Sequence, residues 1–473
     1  MSMIVTEQIV KDVGESWFTL KVDGTKDPTG SENVSIVVCY MGKDYKMQER
    51  LLSMQTTDKC DAQSLTNVVL DELSNAGLDA NKILSQCYDG ASVMSGREGG
   101  IQKLIQNKLN RIALHPLFQP PIAFGDQRAV GFFFGVCNSL YTFLKKPTVA
   151  TQYKGQKLKR LLDQRWTGHL DTVSVVLKSH TALVDFLKEI GTMGASADVK
   201  IEAVGLHKAI TERSFKFLTG VMHKVLGLMD PANWMLQAEE TDLITAVRLI
   251  QSASSCIEDL RSDAEFLKLW ADSDADYVVS ESLGQREVNI QQECKRLFFG
   301  IIDSILSEMA ARFSERNGKY MAALDALDPA SVNFLEAEKV KPLLDLTNTD
   351  MVEAQFTVAR EFFKSRCTGQ GEEKVTLSHL VAKESTVLSA MPVVMTAFKH
   401  ALTFWASTAT CENSFSMLKN IFTEHRRSML HRRKAHLIQL AFENDLSRNF
   451  KDEWKEMLLR RFHLSGKRRL QLY

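Results

Sequence analysis

Period-2 alternation in this 473-residue chain is confined to residues 17–88. Within that span Trp17–Val22, Val34–Met41, Tyr45–Met54 and Ile83–Tyr88 carry the β-branched and aromatic enrichment of strands. From about residue 132 to residue 363 the strand signal vanishes, and apolar residues recur at helical spacing, as in Asp171–Leu187 and Phe215–Leu228. A small sheet and a much larger helical remainder are therefore dictated. Local punctuation fits this order. Asp27-Pro-Thr-Gly30 is a turn between the first two strands. Asp61 caps a helix with Leu65, Val68, Val69 and Leu73 on one face, and Gly77 ends it. A fourth strand and a helix through residues 100–108 follow.

A chain of this length is expected to form two or three lobes. Its 44% hydrophobic content, with only 9 Pro, describes an ordered, core-forming protein. The 58 basic and 58 acidic residues cancel, but residues 419–473 hold fourteen Lys and Arg against six Asp and Glu. Such a basic end suits nucleic acid or another acidic surface. The eight cysteines show no C-x-x-C spacing, so neither a zinc site nor a disulfide framework is expected. The N-terminus is unlike a secretory signal, and no apolar run approaches the roughly 18 residues of a membrane span. A soluble protein of nucleus or cytoplasm is expected, with no membrane partner.

Two strand-like runs end in an acid followed by glycine: Asp23 after Trp17–Val22 and Asp89 after Ile83–Tyr88. A third acid, Glu412, opens a run with Phe415, Leu418 and Phe422 on one helical face. Alone, each is ordinary, because Asp-Gly is turn chemistry and a first-turn Glu counters the helix dipole. The surrounding words say more. Val22-Asp-Gly-Thr-Lys-Asp27, Cys87-Tyr-Asp-Gly-Ala-Ser-Val-Met-Ser-Gly96 and Ala409-Thr-Cys-Glu-Asn-Ser-Phe-Ser416 resemble the motifs of the hAT transposase superfamily. Ser407, Ala409, Glu412, Phe415 and Ser416 fall on the word that carries the third acid. The resemblance covers most of residues 1–460. It extends to zinc finger MYM-type proteins with a hAT C-terminal dimerisation domain, although no zinc finger precedes the core here.

The resemblance implies an α+β fold with a mixed sheet: an RNase H-like core begun by residues 1–131, interrupted by a mainly helical insertion at 132–390, and completed by a C-terminal dimerisation region at 391–460. Residues 461–473 form a basic tail. In that fold the first and fourth strands pair side by side, which brings Asp23 and Asp89 together. The resemblance further implies Asp23, Asp89 and Glu412 as catalytic ligands of two Mg2+ or Mn2+ ions, for DNA cleavage and strand transfer. Asp27, just before Pro28, reads instead as a turn residue. The family's Thr-Arg-Trp word is matched by Leu162-Asp-Gln-Arg-Trp-Thr-Gly168, which makes Trp166 a DNA-contact candidate beside a core packing role; Trp234 is a second such tryptophan. Arg426, Arg427, Arg432, Arg433 and Lys434 are candidate phosphate contacts, of a kind expected to give weak, non-specific DNA affinity.

Between the basic runs Glu424–Lys434 and Lys467–Arg469, the segment Ala435-His-Leu-Ile-Gln-Leu-Ala-Phe-Glu-Asn-Asp445 is amphipathic, and its face of Leu437, Ile438, Leu440, Ala441 and Phe442 suits a second copy of the chain. The absent finger and a lost fifth-strand word favour an alternative, a domesticated and non-catalytic DNA-associated or protein-interaction factor in the nucleus. Asn413 stands where the family usually shows a basic residue. Between Asn107 and Gly131 the family's fifth strand and Cys/His word are missing, and Pro116, Pro120 and Pro121 cannot donate to a central ladder.

Overall fold

The computed structural model describes residues 1–88, 92–95, 99–109, 128–159, 161, 166–193, 196–237, 243–273, 284–312, 315–367, 376–404 and 408–464. Its strands are Phe18–Lys26 (β1), Glu32–Met41 (β2), Met47–Thr57 (β3) and Ile83–Tyr88 (β4). They form one sheet in the order β3-β2-β1-β4. β1–β2 and β2–β3 are antiparallel, whereas β1–β4 is parallel. A parallel neighbour requires a crossover, supplied by the helix Ala62–Ala76. Asp61 caps that helix by accepting from Ser64 N, and Gly77 ends it in the left-handed conformation at φ 89°. The β1–β2 turn is held by Asp27, whose Oδ1 accepts from Thr29 N at 2.9 Å, while Gly30 takes φ 84°.

Both faces of the sheet are covered, which explains why β1, β2 and β4 are buried along nearly their whole length. Leu20, Val22, Val34, Ile36 and Val38 pack on one face against the helices Ser2–Val13 and Ala62–Ala76, with Ile101, Ile105, Phe450 and Trp454. Val37, Leu51 and Met54 pack on the other against Cys411, Phe415, Leu418, Phe422 and Ile438, from the helices Ala409–Ile421 and His431–Phe442 and the link between them. Chain ends more than 400 residues apart in the 473-residue sequence thus share one core.

The helix His431–Phe442 is fastened to the sheet by polar groups as well. The β2–β3 register shifts between Ile36 and Val37, where Ile36 faces Ser53 and Val37 faces Leu51, so Leu52 is the extra residue of a bulge. Gln439 Nε2 donates to the Leu52 carbonyl at 2.8 Å. Glu443 accepts from Leu51 N at 2.6 Å and from Arg50 at 2.8 Å. These side chains occupy backbone groups of a strand at the sheet edge, which would otherwise be open to another strand. At the other end of the helix, Lys434 Nζ lies 2.8 Å from Asp27 Oδ2, and both side chains are fully buried. Burial raises the Asp27 pKa, but hydrogen bonds from Lys434, Thr29 and Asn33 outweigh it and hold the carboxyl well below the usual range.

Among the described residues every element after Tyr88 is helical, and no helix is long and apolar enough to cross a membrane. The chain divides into two compact units. One comprises residues 1–119, 237–244 and 315–473, and the other comprises 120–236 and 245–314. The second unit is helical, with Phe217, Phe266, Trp270 and Phe298 in mutual ring contact in its core. The chain from 315 to 390, expected to belong to the insertion, belongs to the sheet-bearing unit instead. The reason is packing: Phe334 stacks on Phe398, Gln355 accepts from Val393 N, and Thr19 of β1 donates to the Thr403 carbonyl.

Truncation of Lys434 leaves Asp27 as an unpaired buried charge, so Lys434→Ala is expected to lower the unfolding free energy by about 3–5 kcal/mol, with part recovered in the Lys434→Ala/Asp27→Ala double variant; urea titration measures both. His400 is buried against Trp17, its Nδ1 has no hydrogen-bond partner, and burial lowers its pKa to about 4. The unfolded chain binds this proton near pH 6.5 and the fold does not, so the contribution is complete above 6.5 and is lost as pH falls toward 4. The loss is about 3 kcal/mol at most. His400→Leu is expected to flatten that part of the stability-versus-pH curve.

Candidate active site at one end of the sheet

Alternation along β1 sends Thr19, Lys21 and Asp23 to the face covered by the helix Ala409–Ile421. Asp23 is 5% exposed, and its Oδ1 accepts from Gly24 N at 2.8 Å. Its neighbour across the ladder is Ser35 of β2. Ser35 Oγ is hydrogen-bonded at 2.8 Å to Ser414 Oγ, which also donates to the Cys411 carbonyl at 2.6 Å. The turn of helix that carries Glu412 is thereby seated beside Asp23. The Cys411 thiol reports the same proximity: burial first, and the Asp23 charge second, push its pKa well above the ordinary value. Glu412 is half-buried in the first turn of its helix, where a carboxylate is favoured by the helix dipole.

The described part of β4 ends at Tyr88, in register with Val22. Asp23 follows Val22 in β1, and Asp89, which follows Tyr88 in the sequence, lies outside the described residues. Among the described residues no three His, Cys, Asp or Glu side chains form a metal-binding group. Asp23 and Glu412 are both hard oxygen donors of the type that Mg2+ and Mn2+ take. One charged group beside them escaped the reading of the sequence. Lys21, two residues before Asp23 on the same face, is fully buried and ion-paired with Glu49 at 2.7 Å. A lysine in the middle of Phe18-Thr-Leu-Lys-Val22 was the available signal, since a strand buried on both faces has no solvent to offer it.

The expected DNA contacts separate into groups. Arg426, Arg427, Arg432 and Arg433 are exposed, and Arg427 is paired with Glu424 at 2.9 Å. Arg432 and Arg433 sit in the first turn of the helix His431–Phe442, where the dipole disfavours cations, so the helix gains nothing from them. Lys434 corrects the expectation: buried on Asp27 and lying 4.6 Å from the centre of the Phe422 ring, it has no path to a phosphate. Trp166 opens the helix Trp166–Lys178, and its side chain lies outside the described residues. Trp234 is 67% exposed and so does not serve a core.

The amphipathic helix face expected to meet a second copy is also largely occupied. Ile438 is in the core against the sheet, and Leu440 and Phe442 pack at the margins of the two core clusters. Its apolar breadth reflects two clusters on its own chain. Thiol reactivity tests this arrangement. Alkylation of the native protein near pH 8 is expected to modify exposed Cys60 and Cys256, whereas Cys39, Cys87 and Cys411, all buried, react only after unfolding. Mass spectrometry of the peptides reads the order, and early modification of Cys411 would contradict the seating of the Glu412 helix.

Comparison with known families gives two matches. Residues 1–100, which contain the whole sheet, match the family described as ZMYM1/FAM200, RNase-like domain. Residues 378–442, which contain the Glu412 helix and the helix His431–Phe442, match the hAT family C-terminal dimerisation region, and this match supports self-association. The two matched segments are those that meet across the Asp23 face of the sheet, and together they support a hAT-like, transposase-derived protein.

Proposed function

We propose that the end of the sheet is the three-carboxylate site of a metal-dependent phosphodiester-cleaving enzyme, with Asp23, Asp89 and Glu412 as its acids. The observation that carries this reading is the docking of the Glu412 helix over Asp23 through Ser414 and Ser35. The strand order, with a parallel β1–β4 pair beside two antiparallel ones, supports an RNase H-like core. In such a core two acids end neighbouring strands and a helix brings the third. The three carboxylates would hold Mg2+ or Mn2+, which supplies activation of the attacking oxygen and stabilisation of the leaving one. The protein's own part is to hold the acids. The Gly24 N–H fixes one oxygen of Asp23, and Ser414 fixes the helix that carries Glu412. Exposed Arg426, Arg427, Arg432 and Arg433 supply phosphate contacts that position DNA without reading its sequence. A DNA substrate places the protein in the nucleus.

The 5% exposure of Asp23 favours a second reading, in which the chain is a domesticated, non-catalytic and self-associating DNA-associated factor whose acids serve the fold. Two measurements separate the readings. Under the first, Mn2+ binds in calorimetry and supports slow nicking of supercoiled DNA, and both are lost in Asp89→Asn and Glu412→Gln. Nicking falls about 100-fold or more, since a displacement of about 1 Å already costs that much. An absence of Mn2+ binding, or nicking indifferent to both substitutions, leaves the second reading. Under either, the Arg432→Gln/Arg433→Gln variant is expected to lower the salt slope of DNA affinity by about 2.

A further inference from the structure

The turn between the helices Ala409–Ile421 and His431–Phe442 reads Thr423-Glu-His-Arg-Arg-Ser-Met-Leu430. It is anchored at both ends and near its middle. Phe422 lies in the core over the sheet, Met429 packs against the same cluster, and Lys434 is buried on Asp27. Hydrogen bonds from Arg426 N to the Thr423 carbonyl at 2.9 Å and from Met429 N to the Arg426 carbonyl at 3.0 Å hold the backbone between them. The side chains between the anchors are turned outward: residues 424–428 are all exposed, and Leu430 is 77% exposed. Ser428 is one of them.

A serine just before a helix ordinarily caps it. This one does not. Leu430 stands in the cap position, no side chain caps the helix, and the Ser428 hydroxyl has no hydrogen-bond partner among the described residues. The charge around it is unmatched as well. Arg426, Arg427, Arg432 and Arg433 all lie within five residues of Ser428, and the one acid of the turn, Glu424, is taken by Arg427. Arg426, Arg432 and Arg433 have no acidic partner among the described residues. The resulting potential is felt one turn further on, where burial first and the Arg432 charge second lower the pKa of His436. An unused hydroxyl directly behind two exposed arginines, on a turn whose neighbours are anchored, is presented for recognition from outside. An acidic cleft reads the arginines, and the serine itself is left as a nucleophile.

We propose that Ser428 is a phosphorylation site for a protein kinase that selects arginines before its acceptor, and that the phosphate then takes the unmatched arginines of this turn as its partners. The donor is ATP. Ser428 Oγ bonds to the γ-phosphorus as the bond from that phosphorus to the ADP oxygen breaks, and the hydroxyl proton passes to the base of the kinase. The product carries about 1.5 to 2 negative charges at pH 7. It precedes a helix whose first turn holds arginines and no acid, so the new charge is favoured by the dipole and by the arginines together. Compensation of this kind withdraws Arg432 and Arg433 from other anions. That consequence for DNA rests on the arginines being its contacts, whereas the modification itself does not.

Kinase assays on the full chain test it, with the catalytic subunit of cyclic-AMP-dependent protein kinase and with protein kinase C as the two probes. Mass spectrometry of the peptides is expected to find phosphate on Ser428, transferred about tenfold or more slowly to Arg426→Gln/Arg427→Gln. Those side chains are exposed, so the variant keeps the fold. Phosphorus NMR of the product reads the second pKa of the phosphate, expected below its ordinary value of about 6 and restored toward it in Arg432→Gln/Arg433→Gln. The phosphorylated chain is expected to bind duplex DNA about tenfold more weakly than the unmodified chain at about 50 mM salt. Ser428 left bare by both kinases, transfer indifferent to Arg426 and Arg427, a second pKa unmoved from about 6, or DNA affinity unchanged by the phosphate overturns the proposal. An unmodified chain with no DNA affinity overturns the reading of the arginines as DNA contacts and leaves the kinase and NMR results to decide the modification.

Discussion

The sheet of the first 90 residues has a polar and partly charged second face, and only the far end of the chain can cover it. Thr19, Lys21, Asp23 and Ser35 are buried there, together with an edge-strand bulge at Leu52. Left to solvent, the bulge would offer unpaired backbone groups; covered by apolar residues alone, the charges would be stranded. The helices Ala409–Ile421 and His431–Phe442 satisfy both requirements. Ser414 meets Ser35, Gln439 and Glu443 meet the bulge, and Lys434 neutralises Asp27. Contacts of such sequence separation carry a large closure entropy and are rewarded only on completion. Everything inserted between residues 89 and 408 must therefore return the chain to this place.

That constraint also builds the candidate site. Burying the Lys434–Asp27 pair four residues beyond Asp23 fixes the end of β1, and the same docking seats the Glu412 turn. A buried ion pair is weak evidence for net stability, because desolvation offsets attraction, but it punishes every arrangement in which one partner is left alone. Its effect here is specificity of docking. The segment named for dimerisation in its family is thus first a structural part of its own chain. Self-association must use surface that this docking leaves exposed.

Much of this was legible in the sequence. The turn at Asp27-Pro28-Thr29-Gly30, the Asp61 cap and the Gly77 stop each follow from local backbone chemistry, and each is in place. The four strands were visible because their residues alternate or run apolar. What stayed hidden is long-range. Lys434 looks like one more cation in a basic run, and only a partner 407 residues away turns it into a core residue. Residues 315–390 have the same helical period as the insertion, and periodicity carries no label for the unit against which a helix packs. The Leu52 bulge and its Gln439 ligand are equally invisible, since a bulge depends on the register of two strands and not on the composition of one.

The central claim is that the docked helix brings Glu412 to the Asp23 end of the sheet in position to share cations. Anomalous diffraction from crystals grown with Mn2+ tests it most directly. The account predicts Mn2+ held by carboxylate oxygens of Asp23, Asp89 and Glu412, as a pair of ions about 4 Å apart. Mn2+ found only elsewhere on the protein, with the Asp23 carboxylate still turned onto the Gly24 N–H and Glu412 directed away from it, would contradict the account.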